Sequence, residues 1–258
     1  MRIGTWNVEY ALPARLDALR GVLTTNRADI WVLTETHDDL RPPQCEFVAH
    51  TEPRPKDCSR IRPGSRWVSI WSRFPIIANV TLSTADKERT VVVLLDIGQS
   101  NKLLVYGTVM PWKGDRGKQD WSEHHRVVPE QCAEWCELTQ THPDAALCVA
   151  GDFNTDMRTG SYYGTKAGIA MLRAGLADCR LFCATEMPRV PPGLLQNPPI
   201  DHIAVPSAWE SFTSVVAAWP SQKGVLSDHS GLIIEVAESE RASQHAAELD
   251  AAPDTVVR

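Results

Sequence analysis

Ile3-Gly4-Thr5-Trp6-Asn7 and Ile30-Trp31-Val32-Leu33, with Leu12, Leu16, Leu19 and Leu23 recurring between them, decide the fold. The two outer runs are short, apolar and rich in β-branched and aromatic residues, which is how buried strands read; the leucines keep helical spacing. Strand, helix, strand is the building unit of an α/β protein. Working outward, residues 67–71, 76–81, 90–97 and 103–109 have strand character and follow one another too closely to leave room for helices, so they are expected to pair antiparallel. Helices are expected over 123–139 and 166–174, and further strands over 146–150, 200–205, 213–217 and 231–236. Each helix has to bury its apolar stripe on a sheet face, so the expected architecture is α/β with two sheets.

The chain has 258 residues, 43% of them hydrophobic, enough for a substantial core and within the range of one large α/β domain. One domain over 1–236 is expected. From 237 to 258 the composition turns to Ala, Glu, Ser and Asp without apolar periodicity, the reading of a disordered C-terminal tail. No apolar run approaches the length of a transmembrane helix, and Met1-Arg2-Ile3-Gly4-Thr5 does not open a signal peptide. Seven cysteines are scattered and odd in number, so at least one thiol is free, and a cytoplasmic location is expected. A formal charge of −6 argues against a protein that coats nucleic acid by bulk electrostatics. It does not argue against a metal-dependent nuclease, whose site needs carboxylates of its own.

Polar residues at the ends of the strands carry the chemistry. Asn7 closes the first strand and Glu35 follows the second; Asp152 and Asn154 follow the run at 146–150; Asp201 lies within a late strand, and Asp228-His229 precede the last. Strand ends in α/β sheets converge on one rim, so residues distant in sequence can share a pocket. Glu, Asp and Asn there offer the oxygen ligands that a hard divalent cation takes.

Taken in order, Thr5-Trp6-Asn7-Val8, Thr34-Glu35-Thr36, Trp71-Ser72-Arg73-Phe74-Pro75-Ile76, Gly151-Asp152-Phe153-Asn154, Ile200-Asp201-His202-Ile203 and Ser227-Asp228-His229 resemble the successive motifs of the endonuclease/exonuclease/phosphatase superfamily. That group includes DNase I, exonuclease III and the AP endonucleases. Each motif alone is weak, but the ordered set covers residues 5–229. The resemblance implies a four-layer α/β sandwich, two mixed and mainly antiparallel sheets inside and helices outside. It implies that Glu35 is the principal ligand of Mg2+ or Mn2+, with Asn7 and Asp228 as direct or water-mediated ligands. It implies further that Asp152 orients or deprotonates the attacking water, that Asn154 helps hold water and phosphate, and that Asp201 fixes His229 against the scissile phosphate.

One departure stands out. Family members often carry Tyr or His near the end of the strand that here reads Gly107-Thr108-Val109, so Thr108 is the residue left to donate a hydrogen bond, and His124 or His125 are candidates to swing in. Arg54, Lys56, Arg60, Arg62 and Arg66 form a local basic patch, read equally as a grip on flanking phosphates, carried by Arg60, Arg62 and Arg66, or as a solvated loop. Trp112 and Trp121 are candidate substrate contacts, whereas Trp6, Trp31, Trp67 and Trp71 belong to strands and to the core. Cys132 with Cys136 and Cys179 with Cys183 keep i, i+4 spacing, which reads as buried thiols and not as a zinc hook. The function expected is metal-dependent hydrolysis of a phosphodiester by a monomer, with DNA or RNA as substrate; a small-molecule or lipid phosphoester is the alternative, and a binding protein without catalysis the third reading.

Overall fold

A computed structural model describes residues 1–82, 86–158 and 162–237. In chain order the elements are β1 (Arg2–Asn7), α1 (Leu16–Thr25), β2 (Ile30–His37), β3 (Phe47–His50), β4 (Ser65–Ser72), β5 (Ile76–Val80), β6 (Thr90–Asp96) and β7 (Lys102–Val109). There follow α2 (Ser122–Thr141), β8 (Ala145–Asp152), α3 (Lys166–Asp178), β9 (Leu181–Cys183), β10 (Asp201–Pro206), β11 (Thr213–Trp219) and β12 (Gly231–Val236). The strands make two six-stranded sheets, ordered β11-β12-β1-β2-β4-β3 and β5-β6-β7-β8-β10-β9. Both are mixed: β1–β2 and β7–β8 pair parallel, and the other neighbours antiparallel.

Alternation along the strands builds the four layers. Ile30 and Val32 of β2 point into a core shared with Leu103 and Val105 of β7, so the two sheets pack face to face. The residues between them point the other way: Trp31 and Leu33 meet Leu19 and Leu23 of α1, while Leu104 and Tyr106 meet Val128, Trp135 and Leu172 of α2 and α3. The central strands are thus buried on both faces, which explains their continuous apolar runs. Each fully buried Leu or Ile contributes about 1.5–3 kcal/mol by leaving water, so the three cores dominate the energetics.

Local chemistry accounts for the departures from the sequence reading. Leu12 stands outside α1 because Pro13 follows it; the residue before a proline is driven extended, and a short 3-10 turn, Pro13–Arg15, intervenes before Leu16. The short strands β3 and β9 are edge strands, too short to show a period. The tail expected from 237 to 258 lies, apart from Ala237, outside the described residues. Among the described residues no helix is long and apolar enough to cross a membrane.

The cysteines are paired differently from the expectation. Cys136 of α2 and Cys179, which caps α3, form a disulfide with Cα atoms 5.2 Å apart, while Cys132 and Cys183 are free and buried. The i, i+4 spacing is no guide to this pairing, because the close approach is between α2 and the end of α3. Gly175 makes it possible: a Cβ there would lie 2.1 Å from the Cys132 sulfur. Gly175→Ala should therefore push α3 off α2 and destabilise the fold by about 1–3 kcal/mol, the usual cost of overpacking. Urea denaturation followed by tryptophan fluorescence checks this; unchanged stability would show that the helices can separate freely.

Candidate active site

The sheets bring the strand-end residues to one edge. Parallel register sets Asn7 of β1 beside Thr34, one residue before Glu35, and antiparallel register sets Asp201 of β10 directly opposite Asp152 of β8. Asp228 and His229 arrive on the loop that enters β12, the neighbour of β1. Sequence separations of more than 200 residues are closed by sheet order alone, as Ser227 shows by donating from its hydroxyl to the Asn7 carbonyl at 2.6 Å.

Asn7 ties the two sheets together at this edge. Its Nδ2 donates to Asp152 Oδ2 at 3.1 Å and to Glu35 Oε1 at 3.3 Å, while its Oδ1 accepts the backbone N–H of Glu9 at 2.9 Å. The amide therefore bridges the carboxylates instead of offering them a competing oxygen. Glu35 and Asn154 both hold left-handed backbone, φ 46° and 49°, which is uncommon for residues with a Cβ and is often found at functional sites. Asn154 donates from Nδ2 to the Met110 carbonyl at 2.8 Å, and its backbone N–H donates to Asp152 Oδ1 at 2.9 Å. Asp152 is thereby fixed at both oxygens.

His229 is held just as firmly. Its Nδ1 lies 2.6 Å from Asp201 Oδ2, its backbone N–H donates to the Ser227 hydroxyl at 3.1 Å, and its carbonyl accepts the Trp6 indole N–H at 3.2 Å. Nε2 points away from Asp201, toward Asp228 Oδ1 at 4.0 Å. Burial disfavours the imidazolium, but the carboxylates of Asp201, Asp152 and Asp228 outweigh it and raise the His229 pKa to about 10. Asp152 is pushed up to about 7, by burial first and then by the Asp201 carboxylate, against the opposing pull of His229 and the hydrogen bonds from Asn154 and Asn7.

Ligand atoms of Asp152, Asp201 and His229 all lie within 4.8 Å of one another. Asp201 Oδ1 is buried without a hydrogen-bond partner among the described residues, and Glu35 and Asp228 stay partly exposed, at 17% and 40% of the side chain. An oxygen-rich cluster with an unsatisfied carboxylate oxygen fits a hard divalent cation.

Other candidates fall elsewhere. Thr108 is fully buried and donates its hydroxyl to Gln131 Oε1 at 3.0 Å, so it is turned into α2 and away from the site. Arg66 pairs with both oxygens of Asp38 at 2.9 Å, and Arg62 donates to Asp39 and to the Ala11 carbonyl at 2.9 and 3.1 Å. These two arginines bind the molecule's own loops, which the run of basic residues could not reveal. Arg60 alone of the three is half exposed, with its Nη2 3.3 Å from the Tyr10 hydroxyl. Trp112 packs against the inter-sheet core beside Trp67. His124 and His125 belong to the first turn of α2 and are engaged, with ring nitrogens 2.8 Å from the Pro111 carbonyl and 2.7 Å from the Thr165 hydroxyl.

Sequence reasoning missed Tyr163. Its hydroxyl is raised in pKa by burial and then by the carboxylates of Asp152 and Asp228, so the phenol shares their neighbourhood, and its ring packs edge-on against Trp121 at 5.3 Å. Asp156 fixes the segment by accepting the Tyr163 N–H at 3.0 Å. The pairing of Asp156 with a later tyrosine has no fixed spacing that a motif would show.

Two facing mixed sheets between helical layers, with carboxylates, an amide and an aspartate-held imidazole gathered at one edge, define a class of phosphoester hydrolases. The chain belongs to the Endonuclease/Exonuclease/phosphatase family, whose model matches residues 4–229. Solved structures of similar fold include an AP endonuclease from Leishmania major, with TM-score 0.66 and 15% identity over 92% of this chain and 88% of that one. Another is an AP endonuclease from Archaeoglobus fulgidus, with TM-score 0.64 and 14% identity over 92% of this chain and 100% of that one. A 3′ phosphatase from Neisseria, bound to a product DNA hairpin, has TM-score 0.63 and 16% identity over 92% of this chain and 100% of that one. No curated protein matches the chain in sequence.

Proposed function

We propose that the chain is a divalent-metal-dependent phosphodiesterase acting on nucleic acid, with Mg2+ or Mn2+ held by Glu35 and Asp228 beside the Asn7 bridge. The observation that carries this reading is the convergence of Glu35, Asn7 and Asp152 with the Asp201–His229 pair at one edge of the two sheets. A bound cation would polarise the phosphoryl oxygens and offset the charge they gain during in-line attack. Asp152, buried and with its pKa near 7, is suited to take a proton from water at neutral pH. His229, kept protonated by its three carboxylate neighbours, presents Nε2 to a non-bridging oxygen. Asn154, with its Nδ2 spent on Met110, has its side-chain oxygen left to orient water.

The family and the folds it resembles support phosphoester chemistry; DNA bound by the Neisseria phosphatase supports a nucleic-acid substrate here. Tyr162 and Val225, 59% and 60% exposed, are apolar groups in the segments that carry Tyr163 and Asp228, but they are single side chains and not the wedge that a lipid enzyme inserts.

The test is hydrolysis of single-stranded DNA, duplex DNA, RNA, bis(p-nitrophenyl) phosphate and sphingomyelin, with Mg2+ or Mn2+ and with chelator. Cleavage of a nucleic acid that chelator abolishes and Mg2+ restores is the expected result. Cleavage of the lipid or the small diester alone would move the chain to the alternative substrate class, and chelator-resistant cleavage would remove the cation from the account.

A further inference from the structure

Beside Glu35, three guanidinium groups and three aromatic rings alternate. Arg60 approaches the Tyr10 ring at 4.1 Å and Arg54 the same ring at 4.9 Å; Arg54 lies 3.3 Å from the centre of Trp67. Arg89 then approaches Trp67 at 4.6 Å and Trp112 at 4.9 Å. The three cations are compensated very differently. Arg89 donates to both oxygens of Asp115, and Arg60 is half exposed to water with Glu9 at 3.8 Å. Arg54 has a side chain only 3% exposed, and its ion-pair partner among the described residues is Glu35, 3.7 Å away, beyond hydrogen-bond range. Nε and Nη1 of Arg54 are buried and find no acceptor among the described residues.

A guanidinium does not shed its proton in proteins, so Arg54 keeps its charge where water does not reach it. Stacking on Trp67 and Tyr10 offsets a minor part of that desolvation and leaves Nε and Nη1 without acceptors among the described residues. The strain grows in the state the reaction requires. A divalent cation held by Glu35 would take up Arg54's nearest counter-charge, and the phosphate of a substrate would supply a new one. Planar N–H donors stacked against two rings are matched to phosphoryl oxygens.

We propose that Arg54 is a substrate-contacting residue whose guanidinium, clamped by Trp67 and Tyr10 beside Glu35, donates to a non-bridging oxygen of the phosphate to be cleaved. This deepens the phosphodiesterase reading and rests on it for the position of the phosphate. Arg54 then supplies a phosphate contact that Thr108, turned into α2, does not. Its sequence neighbours Arg62 and Arg66 are bound to Asp39 and Asp38, so the basic segment contributes through its one buried member and not through its charge as a whole.

The experiment measures three quantities in wild type, Arg54→Met and Arg54→Lys: affinity for inorganic phosphate by calorimetry in the presence of Mn2+, affinity for Mn2+ alone by electron paramagnetic resonance, and kcat/KM on bis(p-nitrophenyl) phosphate. Arg54→Met is expected to lose about 10-fold or more in phosphate affinity and about 100-fold in kcat/KM, the scale for one charge-stabilising donor. Its Mn2+ affinity is expected to equal or exceed that of wild type, because a cation next to Glu35 has been removed. Lysine should recover part of the loss, and methylguanidinium should partly rescue Arg54→Ala. Unchanged phosphate affinity in Arg54→Met, or a loss that follows weakened Mn2+ binding, would overturn the assignment, the latter leaving Arg54 as a support for Glu35. Wild type that binds no phosphate would overturn it as well. Wild type that binds phosphate through Arg54 yet cleaves no diester would refute the proposed function and leave this contact standing.

Discussion

Asp152→Asn is expected to lower kcat by about 10³-fold or more, near the upper range for removing a general base, and to leave the unfolding temperature undiminished. Both halves of that result come from burial. Asp152 is 2% exposed and its pKa stands at about 7, far above the ordinary carboxylate value of 3.8. The sign is fixed by linkage. A carboxyl whose folded pKa lies above its unfolded one costs stability as pH rises from the lower value to the higher, and the full cost is present above about 7. The amide removes that cost. Against it stands a loss of partners: Asp152 accepts from Asn7 Nδ2 and from the Asn154 N–H, and an amide has one acceptor for two donors. The two effects oppose and are of similar size, so stability holds while the proton acceptor is gone. Thermal unfolding at pH 8 and steady-state kinetics with Mg2+ measure both. A variant that keeps wild-type turnover would remove Asp152 from the chemistry; one that unfolds would make it a structural carboxylate.

How much of this was legible in the sequence depends on distance along the chain. The inner strands could be read because each is buried on both faces, and the long helices because their leucines repeat. Glu35, Asp152 and His229 could be picked out as candidates because polar residues near strand termini fall within six motifs that come in a recognisable order. What could not be read are pairings across the fold. Arg62 and Arg66 looked free because Asp38 and Asp39 come from a different loop, and Cys136 meets Cys179 through helix packing that no spacing records. Arg54 and Arg66 are the same residue type in the same basic segment, yet one is buried against Trp67 and the other is paired with both oxygens of Asp38. Tyr163 owes its place to Asp156 and Trp121, neither of which belongs to a motif.

His229→Ala is expected to cost about 10²–10³-fold in kcat/KM, the scale for losing one preorganised donor at the phosphate. The more informative comparison is with Asp201→Ala and the double variant. Asp201 Oδ2 accepts from Nδ1 at 2.6 Å, which fixes the ring and leaves Nε2 as the donor on the side of Asp228. Backbone bonds to Ser227 and Trp6 already hold the residue at its N–H and carbonyl, so the carboxylate's part is confined to the orientation and charge of the imidazole. If Asp201 acts through His229 alone, its removal has nothing further to take once the imidazole is gone, and the double variant should be no slower than His229→Ala. A product of the two single losses would say that Asp201 has a second partner. The atom for such a role is present: Oδ1 is buried without a hydrogen bond among the described residues, and Asp201 belongs to the cluster with Asp152 that could take a cation. Mn2+ affinity in Asp201→Ala decides between the two accounts, because a purely orienting aspartate leaves it unchanged whereas a ligand weakens it together with turnover.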